Sequence, residues 1–432
     1  MRTVPLTIDA GGGLTAEALR RLVLDAGADD CGVVPLNAPG LEDERAHVLK
    51  AAPWARSLAS YVVRMNRGPL RSPARSVANS EFHAAGRDVD GIGRAAARAF
   101  EDAGGRAIAP SMGFPMETDD WPGRMWVVAH KTVAVAAGMG AIGLHRCVIH
   151  PRYGSAVLLG TLVTDAEVKT GSSPLDFNPC FECRLCVAAC PTGAIKPDGA
   201  FDFASCYTHN YREFMSGFTD WVETVADAGS ARSYRRRVED HETVSMWESL
   251  GYGPGYKAAN CVAVCPAGED LVGSFRANTK GFVSEVVRPF QDKKEKVYAV
   301  KGSDAHEHVA KRFPHKVVRT VGSGLRPVSA KGFVDFLPNL FQRGAAGGLD
   351  AVYHFTFTGS ESFDATIEIR AGSLRIRDGL VGKPSLRVRA DASAWVGFVR
   401  GDRRLIGLLL SRRLRLRGDP RLLVRFGACF PT

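Results

Sequence analysis

The organisation of this chain is decided by one stretch, Cys180-Phe-Glu-Cys183-Arg-Leu-Cys186-Val-Ala-Ala-Cys190-Pro191. Its C-x2-C-x2-C-x3-C-P spacing places three thiolates on one tight loop and directs the fourth cysteine elsewhere. Soft sulfur ligands suit iron, and the proline after the fourth cysteine turns the chain away from a bound cluster. A zinc site usually takes two separated pairs of ligands. The spacing therefore predicts an iron–sulfur cluster.

A second group of cysteines repeats the end of this motif. It consists of Cys206 and of the stretch Asn260-Cys261-Val-Ala-Val-Cys265-Pro266. In bacterial ferredoxins the fourth cysteine of such a motif ligates the other of two clusters. By that logic one four-iron cluster is held by Cys180, Cys183, Cys186 and Cys265, and the second cluster by Cys190, Cys206 and Cys261.

The second cluster lacks one ligand in this sequence. When the first motif is placed on the second, Ala258 stands where a fourth thiolate is expected. Three interpretations stay open: a three-iron cluster, a four-iron cluster with solvent or a residue such as His209 or Asn260 as ligand, and an empty site. The remaining cysteines stand alone in apolar surroundings and are interpreted as buried structural thiols; they are Cys31, Cys147 and Cys429.

Composition and charge narrow the class of protein. With 432 residues and 45% hydrophobic content, two or three domains are expected. Seven of ten cysteines fall between residues 180 and 265, and because no export signal is visible, metal ligation is favoured over disulfides.

The longest apolar run, 132–144, is too short to span a membrane, so a cytoplasmic location is predicted. The charge of +10 comes largely from short runs such as 412–417, and since no nucleic-acid-binding motif accompanies them, nucleic-acid binding is not expected.

Periodicity divides the chain into parts. Over residues 1–170 strands alternate with helices, which predicts an α/β layered domain. The cysteine-rich segment occupies 171–275, and 276–320 is interpreted as a connection. Over 321–432 apolar residues such as Phe355 and Phe357 alternate with polar ones, as in strands with one solvent-exposed face, and helical segments follow. A second core, that of an α+β domain, is predicted there.

Three stretches outside the cysteines carry a family resemblance. They are Ala137-Gly138-Met139-Gly140-Ala141-Ile142-Gly143-Leu144, His150-Pro-Arg-Tyr-Gly154 and Leu159-Gly-Thr-Leu-Val-Thr-Asp165. Together with the cysteine motif that follows, they resemble the corrinoid-dependent iron–sulfur reductases, which include reductive dehalogenases and epoxyqueuosine reductases. The resemblance covers about residues 15–280.

This resemblance implies a corrinoid-binding-like α/β core with an inserted ferredoxin-like segment for two clusters. In the family the glycine-rich turn lies against a corrinoid such as cobalamin, because a residue without a side chain lets the backbone approach a flat ring. The residues that carry over as cofactor-binding are Gly138, Met139, Gly140, Gly143, His145, Arg146 and Gly154. Candidate catalytic acids or cations are Tyr207, His209 and Lys131. Arg124 stands where epoxyqueuosine reductases keep an acidic proton donor, which argues against that transfer-RNA modification.

The C-terminal part shows a second resemblance. Tyr353-His-Phe-Thr-Phe-Thr358, the strands up to Ala390 and Leu410-Ser-Arg-Arg-Leu-Arg-Leu-Arg-Gly-Asp419 are similar to sterol carrier protein type lipid-binding domains. Such domains enclose an apolar tunnel between a sheet and helices, which implies a lipid or another hydrophobic small molecule as ligand. The alternative is a domain that serves only in packing or dimerisation.

Two functions from different classes follow. The first is a corrinoid-dependent reductase in which [4Fe-4S] clusters, or one [4Fe-4S] and one [3Fe-4S] cluster, relay electrons from an external ferredoxin or flavoprotein to a corrinoid that reduces an apolar substrate. The second is a non-catalytic protein that transfers electrons or binds corrinoid or lipid. The lack of a G-x-G-x-x-G motif after a strand argues against a built-in nicotinamide site.

Overall fold

The first part of the chain forms a four-stranded sheet between layers of helices. The computed structural model describes residues 15–119, 121 and 123–431. In this part its elements are α1 (Ala16–Asp25), β1 (Asp30–Pro35), α2 (Glu42–Ala51), β2 (Ser57–Arg64), α3 (Arg67–Leu70), α4 (Arg75–Asp102), β3 (Ala107–Ile108), α5 (His130–Ala136), β4 (Ala141–Ile142), β5 (Val148–Ile149) and β6 (Val157–Thr164).

The four-stranded sheet has the strand order β1-β2-β6-β3, and all its pairs are antiparallel. Its central strands β2 and β6 are buried almost throughout, because apolar cores lie on both faces. Helices α1 and α4 cover one face, and α2 and α5 cover the other. The predicted layering of helices on strands is therefore present. The predicted α/β class needs correction, because alternation of elements does not fix strand direction, and an antiparallel sheet makes this an α+β domain.

The cysteine-rich segment is mainly helical. Its helices are α6 (Leu185–Ala189), α7 (Phe203–Asn210), α8 (Ser216–Ala226), α9 (Ala231–Arg235), α10 (Asp240–Tyr252), α11 (Asn260–Ala263) and α12 (Glu269–Ala277). The stretch predicted as a connection is itself structured, with α13 (Thr279–Phe282), a π-helical turn (Val283–Val287), α14 (Arg288–Asp292), β7 (Lys296–Ala299), α15 (Asp304–Arg312) and β8 (Val317–Thr320). Strands β7 and β8 pair in parallel.

The C-terminal part is a five-stranded mixed sheet with helices. Its elements are α16 (Ala330–Leu340), β9 (Ala351–Thr358), β10 (Phe363–Arg370), β11 (Ser373–Asp378), β12 (Leu386–Asp391), α17 (Ala392–Val399), α18 (Leu405–Leu410), β13 (Leu414–Gly418) and α19 (Arg421–Ala428). The strand order is β11-β10-β9-β12-β13, with β9 and β12 parallel and the other pairs antiparallel. The alternating residues Phe355 and Phe357 point into one core, as their spacing predicted.

Helix α7 of the cysteine-rich segment contributes to this C-terminal core. Ala204 and Tyr207 are buried in it, and Phe203 and Tyr211 pack against it. Positions 203, 207 and 211 recur every fourth residue and so lie on one face of the helix. The C-terminal part is therefore not closed on itself. In the described part of the chain, no helix combines the length and the apolar character that crossing a membrane requires.

Candidate metal centre

Four cysteines line one small pocket beside the start of α6. They are the set that the spacing assigns to the first cluster, and most of the remaining wall is apolar: Cys180, Cys183, Cys186 and Cys265, with Leu144, Ile149, Pro179, Phe181, Pro266 and Ala267. The loop before α6 turns tightly because Glu182 and Arg184 adopt left-handed backbone conformations, with φ of 60° and 49°. Burial and the neighbouring thiols, Cys265 first among them, raise the pKa of Cys186 to about 12. Binding of metal would therefore release protons from this pocket.

The cysteines assigned to the second cluster lie directly beside the first group. Cys190 follows the last residue of α6, Cys206 lies in α7 and Cys261 lies in α11. All three share a buried contact cluster with Cys186 and Leu144. The two candidate sites are therefore adjacent, as in two-cluster ferredoxins.

Cys147 lies beside the second group, in the hairpin loop between β4 and β5. After burial, Cys190 and Cys147 are the strongest neighbouring influences that raise the pKa of Cys206. Burial and then Cys147 likewise raise the pKa of Cys261. Cys147 therefore does not stand apart from the other cysteines, as its position in the sequence suggested. Cys31 and Cys429, by contrast, are buried within apolar cores.

Polar contacts hold this hairpin loop against the cysteine-rich segment. The backbone N–H of Cys147 donates to His145 Nδ1 (3.1 Å), and Lys131 Nζ donates to the Arg146 carbonyl oxygen (2.8 Å). The Arg146 guanidinium donates in turn to the Gly199 carbonyl oxygen (3.0 Å). Burial would raise the pKa of Cys147, but the Lys131 ammonium and His145 lower it to about 6. Lys131 thus places a positive charge beside the second group.

The cysteines do not converge as ligands of one ion. Across the described residues, no three His, Cys, Asp or Glu side chains are arranged to hold a single metal ion. The ligands of a cubane need not meet at one point, because each of its four cysteines binds a different iron. Two adjacent groups of cysteines that do not converge on one ion are therefore compatible with clusters.

The glycine-rich turn is occupied by the chain's own backbone. A Cβ atom added to Gly138 would overlap the carbonyl oxygen of Ser173, and one added to Gly140 would overlap that of Ile149. Gly140 also has a φ of 152°, which side chains disfavour. The space that a side chain would fill at each glycine is therefore occupied by another segment of the protein's own backbone.

The two other glycines predicted to bind a corrinoid, and Met139, are packed in the same way. A Cβ atom on Gly143 would overlap the Ile149 side chain, and one on Gly154 would overlap the carbonyl oxygen of Ala267. Met139 is buried in the core on the α2 and α5 side of the sheet. These positions do not form the open surface that a flat ring requires, so the residues present do not fit the predicted corrinoid contact.

Tyr207 lies in the C-terminal core. Its ring stacks on Tyr211, with centroids 4.8 Å apart, and lies 5.0 Å from that of Phe203. Burial raises its pKa to about 12. The structure therefore places this predicted catalytic residue as a packing element of α7 and not at an open cavity.

His209 lines an open cavity of about 420 Å³ between α7, α10 and β7. Its Nδ1 accepts a hydrogen bond from the backbone N–H of Tyr298 (3.2 Å), so the proton of the neutral ring is on Nε2. Among the described residues, Nε2 has no hydrogen-bond partner. Burial, and then the lysines around it, lower the pKa of His209 to about 3. The ring is therefore neutral at pH 7. The rest of the wall is mixed in charge, with the cations Arg75, Lys257, Lys293 and Lys296 beside the carboxylates Glu242, Glu248 and Glu295.

A buried carboxylate, Glu213, organises the chain next to this cavity. It accepts hydrogen bonds from Arg75 (2.7 Å), Ser249 (2.9 Å), Ser245 and Lys257. Burial alone would raise the pKa of Glu213, but the Lys257 and Arg75 charges hold it below its usual range. The network joins α4 to α10 and to the chain just before Ala258. No spacing signal in the sequence pointed to it.

Arg124 has a structural partner. Its guanidinium forms an ion pair with the buried carboxylate of Glu44, which also accepts a hydrogen bond from the backbone N–H of Ala129 (3.0 Å). This arginine therefore anchors the chain before α5.

Two stretches match known families. Residues 174–196 match the 4Fe-4S binding domain, which confirms the prediction made from Cys180 to Cys190. Residues 339–431 match the SCP-2 sterol transfer family, which confirms the resemblance of the C-terminal part.

Curated relatives agree on one enzyme family. The chain is 27% identical over 175 residues to the epoxyqueuosine reductase of Gloeobacter violaceus, a match that covers 39% of this chain and 50% of that protein. The chain resembles the epoxyqueuosine reductases. It is also 35% identical over 77 residues to the enzyme of Lactococcus garvieae, over 18% of this chain and 21% of that protein. The chain thus spans half or less of the length of these relatives.

Two of the solved structures that match are a reductive dehalogenase and an epoxyqueuosine reductase. The catabolic reductive dehalogenase NpRdhA matches with a TM-score of 0.39 and 17% identity, over 63% of this chain and 34% of that chain. Epoxyqueuosine reductase from Streptococcus thermophilus matches with a TM-score of 0.27 and 18% identity, over 42% of this chain and 54% of that chain.

Proposed function

We propose that this chain is an iron–sulfur reductase that takes electrons from an external ferredoxin or flavoprotein and passes them through two adjacent centres. The observation that carries the proposal is the pair of neighbouring cysteine groups, and Cys180, Cys183 and Cys186 of the first group lie in the stretch that matches a 4Fe-4S binding domain. The sequence similarity to epoxyqueuosine reductases supports the enzymatic class. When bound, each cluster supplies one-electron redox chemistry.

The protein around the first group is mostly apolar. Leu144, Phe181 and Pro266 are among the side chains that close the pocket of the four cysteines. Charges act more strongly in such a low-dielectric site than in water. The Lys131 ammonium near Cys147 would favour the more negative, reduced state of a centre at the second group.

The cavity beside α7 is the proposed site of the electron acceptor. It lies next to the second group, since His209 follows Cys206 by one helical turn. Its wall carries both cationic and acidic side chains, and the Nε2–H of His209 is a hydrogen-bond donor without a protein partner in the described part of the chain. A small polar acceptor fits this chemistry.

The proposed reaction does not pass through a corrinoid. The family resemblance implies one, but the glycines expected to meet the ring are packed against Ser173, Ile149 and Ala267. Electrons would therefore go from the centres to the acceptor directly, which distinguishes this chain from the relatives that the resemblance invokes.

Anaerobic reconstitution tests the proposal. The loaded chain should hold about eight irons, as two four-iron clusters require, and reduced ferredoxin should bleach its visible absorbance. With a small polar oxidant present, a reductase consumes reductant continuously. Added cobalamin should pass a desalting column unbound. Uptake of only the electrons that fill the centres, with every acceptor tried, would favour the electron carrier, and stoichiometric cobalamin retention would restore the corrinoid-dependent alternative.

A second activity, binding to an anionic lipid surface, is favoured by the C-terminal part. Its interior is filled by its own aromatic rings: Trp395 lies 5.3 Å from Phe355, and Phe426 lies 5.5 Å from Phe355, between centroids. On the outside, Ile406 and Leu410 of α18 are 71% and 80% exposed. Exposed arginines flank this helix on both sides, at 403, 404, 412 and 413. Exposed apolar residues among cations are typical of interfacial helices.

Replacing Ile406 and Leu410 together by aspartate should reduce co-sedimentation with phosphatidylglycerol vesicles about tenfold or more. The reason is that burying one such side chain contributes about 1.5–3 kcal/mol. Leu250→Asp, at a residue of α10 that is 59% exposed, is the matched control. Equal binding to phosphatidylcholine vesicles, or no effect of the double substitution, would speak against this surface.

A further inference from the structure

We infer that Cys147 is the fourth ligand of the second centre, so that Cys147, Cys190, Cys206 and Cys261 together hold a complete four-iron cluster. This inference rests on the proposed function, because it assumes that the second cysteine group binds iron. A complete set of four cysteines differs from all three interpretations of the second cluster that the sequence left open.

The hairpin loop of residues 143–147 reaches into the space between the two cysteine groups. The backbone N–H of Gly143 donates to the Cys147 carbonyl oxygen (3.0 Å), which closes the loop tightly. Next in the loop, the N–H of Leu144 donates to Cys180 Sγ of the first group (3.4 Å), and the Leu144 side chain packs with the cysteines of the second. The loop is therefore in contact with both sites.

Fixed contacts keep the loop in this position. The Arg146 side chain is tied to Gly199 of the cysteine-rich segment, and Lys131 binds the Arg146 carbonyl oxygen. At the same time, the N–H of Cys147 is bound by His145. The thiol of Cys147 is thereby presented from the first domain to a centre whose other ligands come from the cysteine-rich segment.

Each of the alternative ligands makes a hydrogen bond elsewhere. Asn260 is buried, and its amide nitrogen donates to the Ala189 carbonyl oxygen (3.2 Å). His209 lines the cavity between α7, α10 and β7, and its Nδ1 accepts a hydrogen bond from the backbone N–H of Tyr298. Ala258, at the position of the expected cysteine, is held through its backbone N–H by the Asn210 side chain (3.0 Å). The sulfur that the motif lacks at 258 is thus supplied by residue 147.

The test compares iron content and electron paramagnetic resonance after anaerobic reconstitution. The parent should bind about eight irons, whereas Cys147→Ala should bind about seven or fewer and show the signal of an oxidised three-iron cluster or lose the second cluster altogether. Cys31→Ala, at a buried cysteine far from both groups, should behave like the parent. The double variant with Cys147→Ala and Ala258→Cys should regain about eight irons, because the new thiol stands at the usual motif position.

The outcomes separate this inference from the proposal beneath it. Eight irons and an unchanged spectrum in Cys147→Ala would overturn the assignment of Cys147 while leaving two centres in place. A parent with about four irons that Cys206→Ala leaves intact would overturn the second centre itself. Should Cys147→Ala lose both clusters, recovery in the double variant would show that the loss came from the missing ligand and not from misfolding, and failure to recover would count against the inference.

Discussion

Gly140→Val should deprive the chain of its second iron–sulfur centre, lowering bound iron from about eight to about four per chain. The added side chain would overlap the carbonyl oxygen of Ile149, the residue paired with Ala141 in the hairpin. It would also force valine into a backbone conformation with φ of 152°, at a cost of about 1–3 kcal/mol. The hairpin must open to relieve the overlap with Ile149, and Cys147, which lies in the hairpin loop, would then move away from the second cysteine group.

A glycine-to-valine change without these contacts is the control. Gly91 lies on the exposed side of α4, where an added Cβ atom meets no other atom within 4 Å. Gly91→Val should keep the iron content of the parent. If Gly140→Val also kept it, the hairpin would not be what positions the ligand, and the assignment of Cys147 would be weakened with it.

Glu213→Ala should strongly destabilise the folded chain. The carboxylate is 2% exposed and joins Arg75 to Lys257. Removing one partner of a buried ion pair leaves the others uncompensated and typically costs about 3–5 kcal/mol. Denaturant unfolding should register this loss. Glu248→Ala, on the exposed side of α10, should change stability little.

Low pH should reduce the stability of the folded parent chain through protonation of Glu213. The pKa of Glu213 in the folded chain lies below its unfolded value, so its contribution is complete above the unfolded pKa of about 4.3 and is lost as the pH falls through the folded value. The stability of Glu213→Gln should therefore depend less steeply on pH below about pH 4. Equal slopes for parent and variant would mean that other carboxylates carry the acid response.

The first cysteine group could be predicted because its geometry is local. Cys180, Cys183 and Cys186 lie on one short loop, and a fixed spacing determines how such a loop can curl around a cluster. Cys265 followed from the repeat of the motif ending. Cys147 did not, because no spacing links a lone cysteine to ligands that tertiary folding brings to it. The missing thiol at Ala258 was the one available signal that a distant cysteine should be sought.

Other departures from the sequence-based expectations also arise from tertiary contacts. A glycine-rich stretch allows another group to approach the backbone closely, but the sequence does not identify that group. At Gly138 and Gly140 the group is the protein's own backbone. Tyr207 follows a cysteine ligand in sequence, yet a helix turns consecutive residues by about 100°. Its ring therefore enters a different core from the one that Cys206 faces.

That arrangement of α7 links iron supply to the survival of a region that binds no iron. Cys206 faces the second centre, while Tyr207 and Ala204 belong to the core of the C-terminal part. A cluster bound through Cys206 would order α7, so that packing of the C-terminal core would no longer have to offset the entropic cost of ordering this helix. A ligand that binds only the folded state stabilises that state. A chain made under iron shortage is therefore expected to hold its C-terminal part loosely and to expose it to proteases. The supply of iron would then decide how many chains persist.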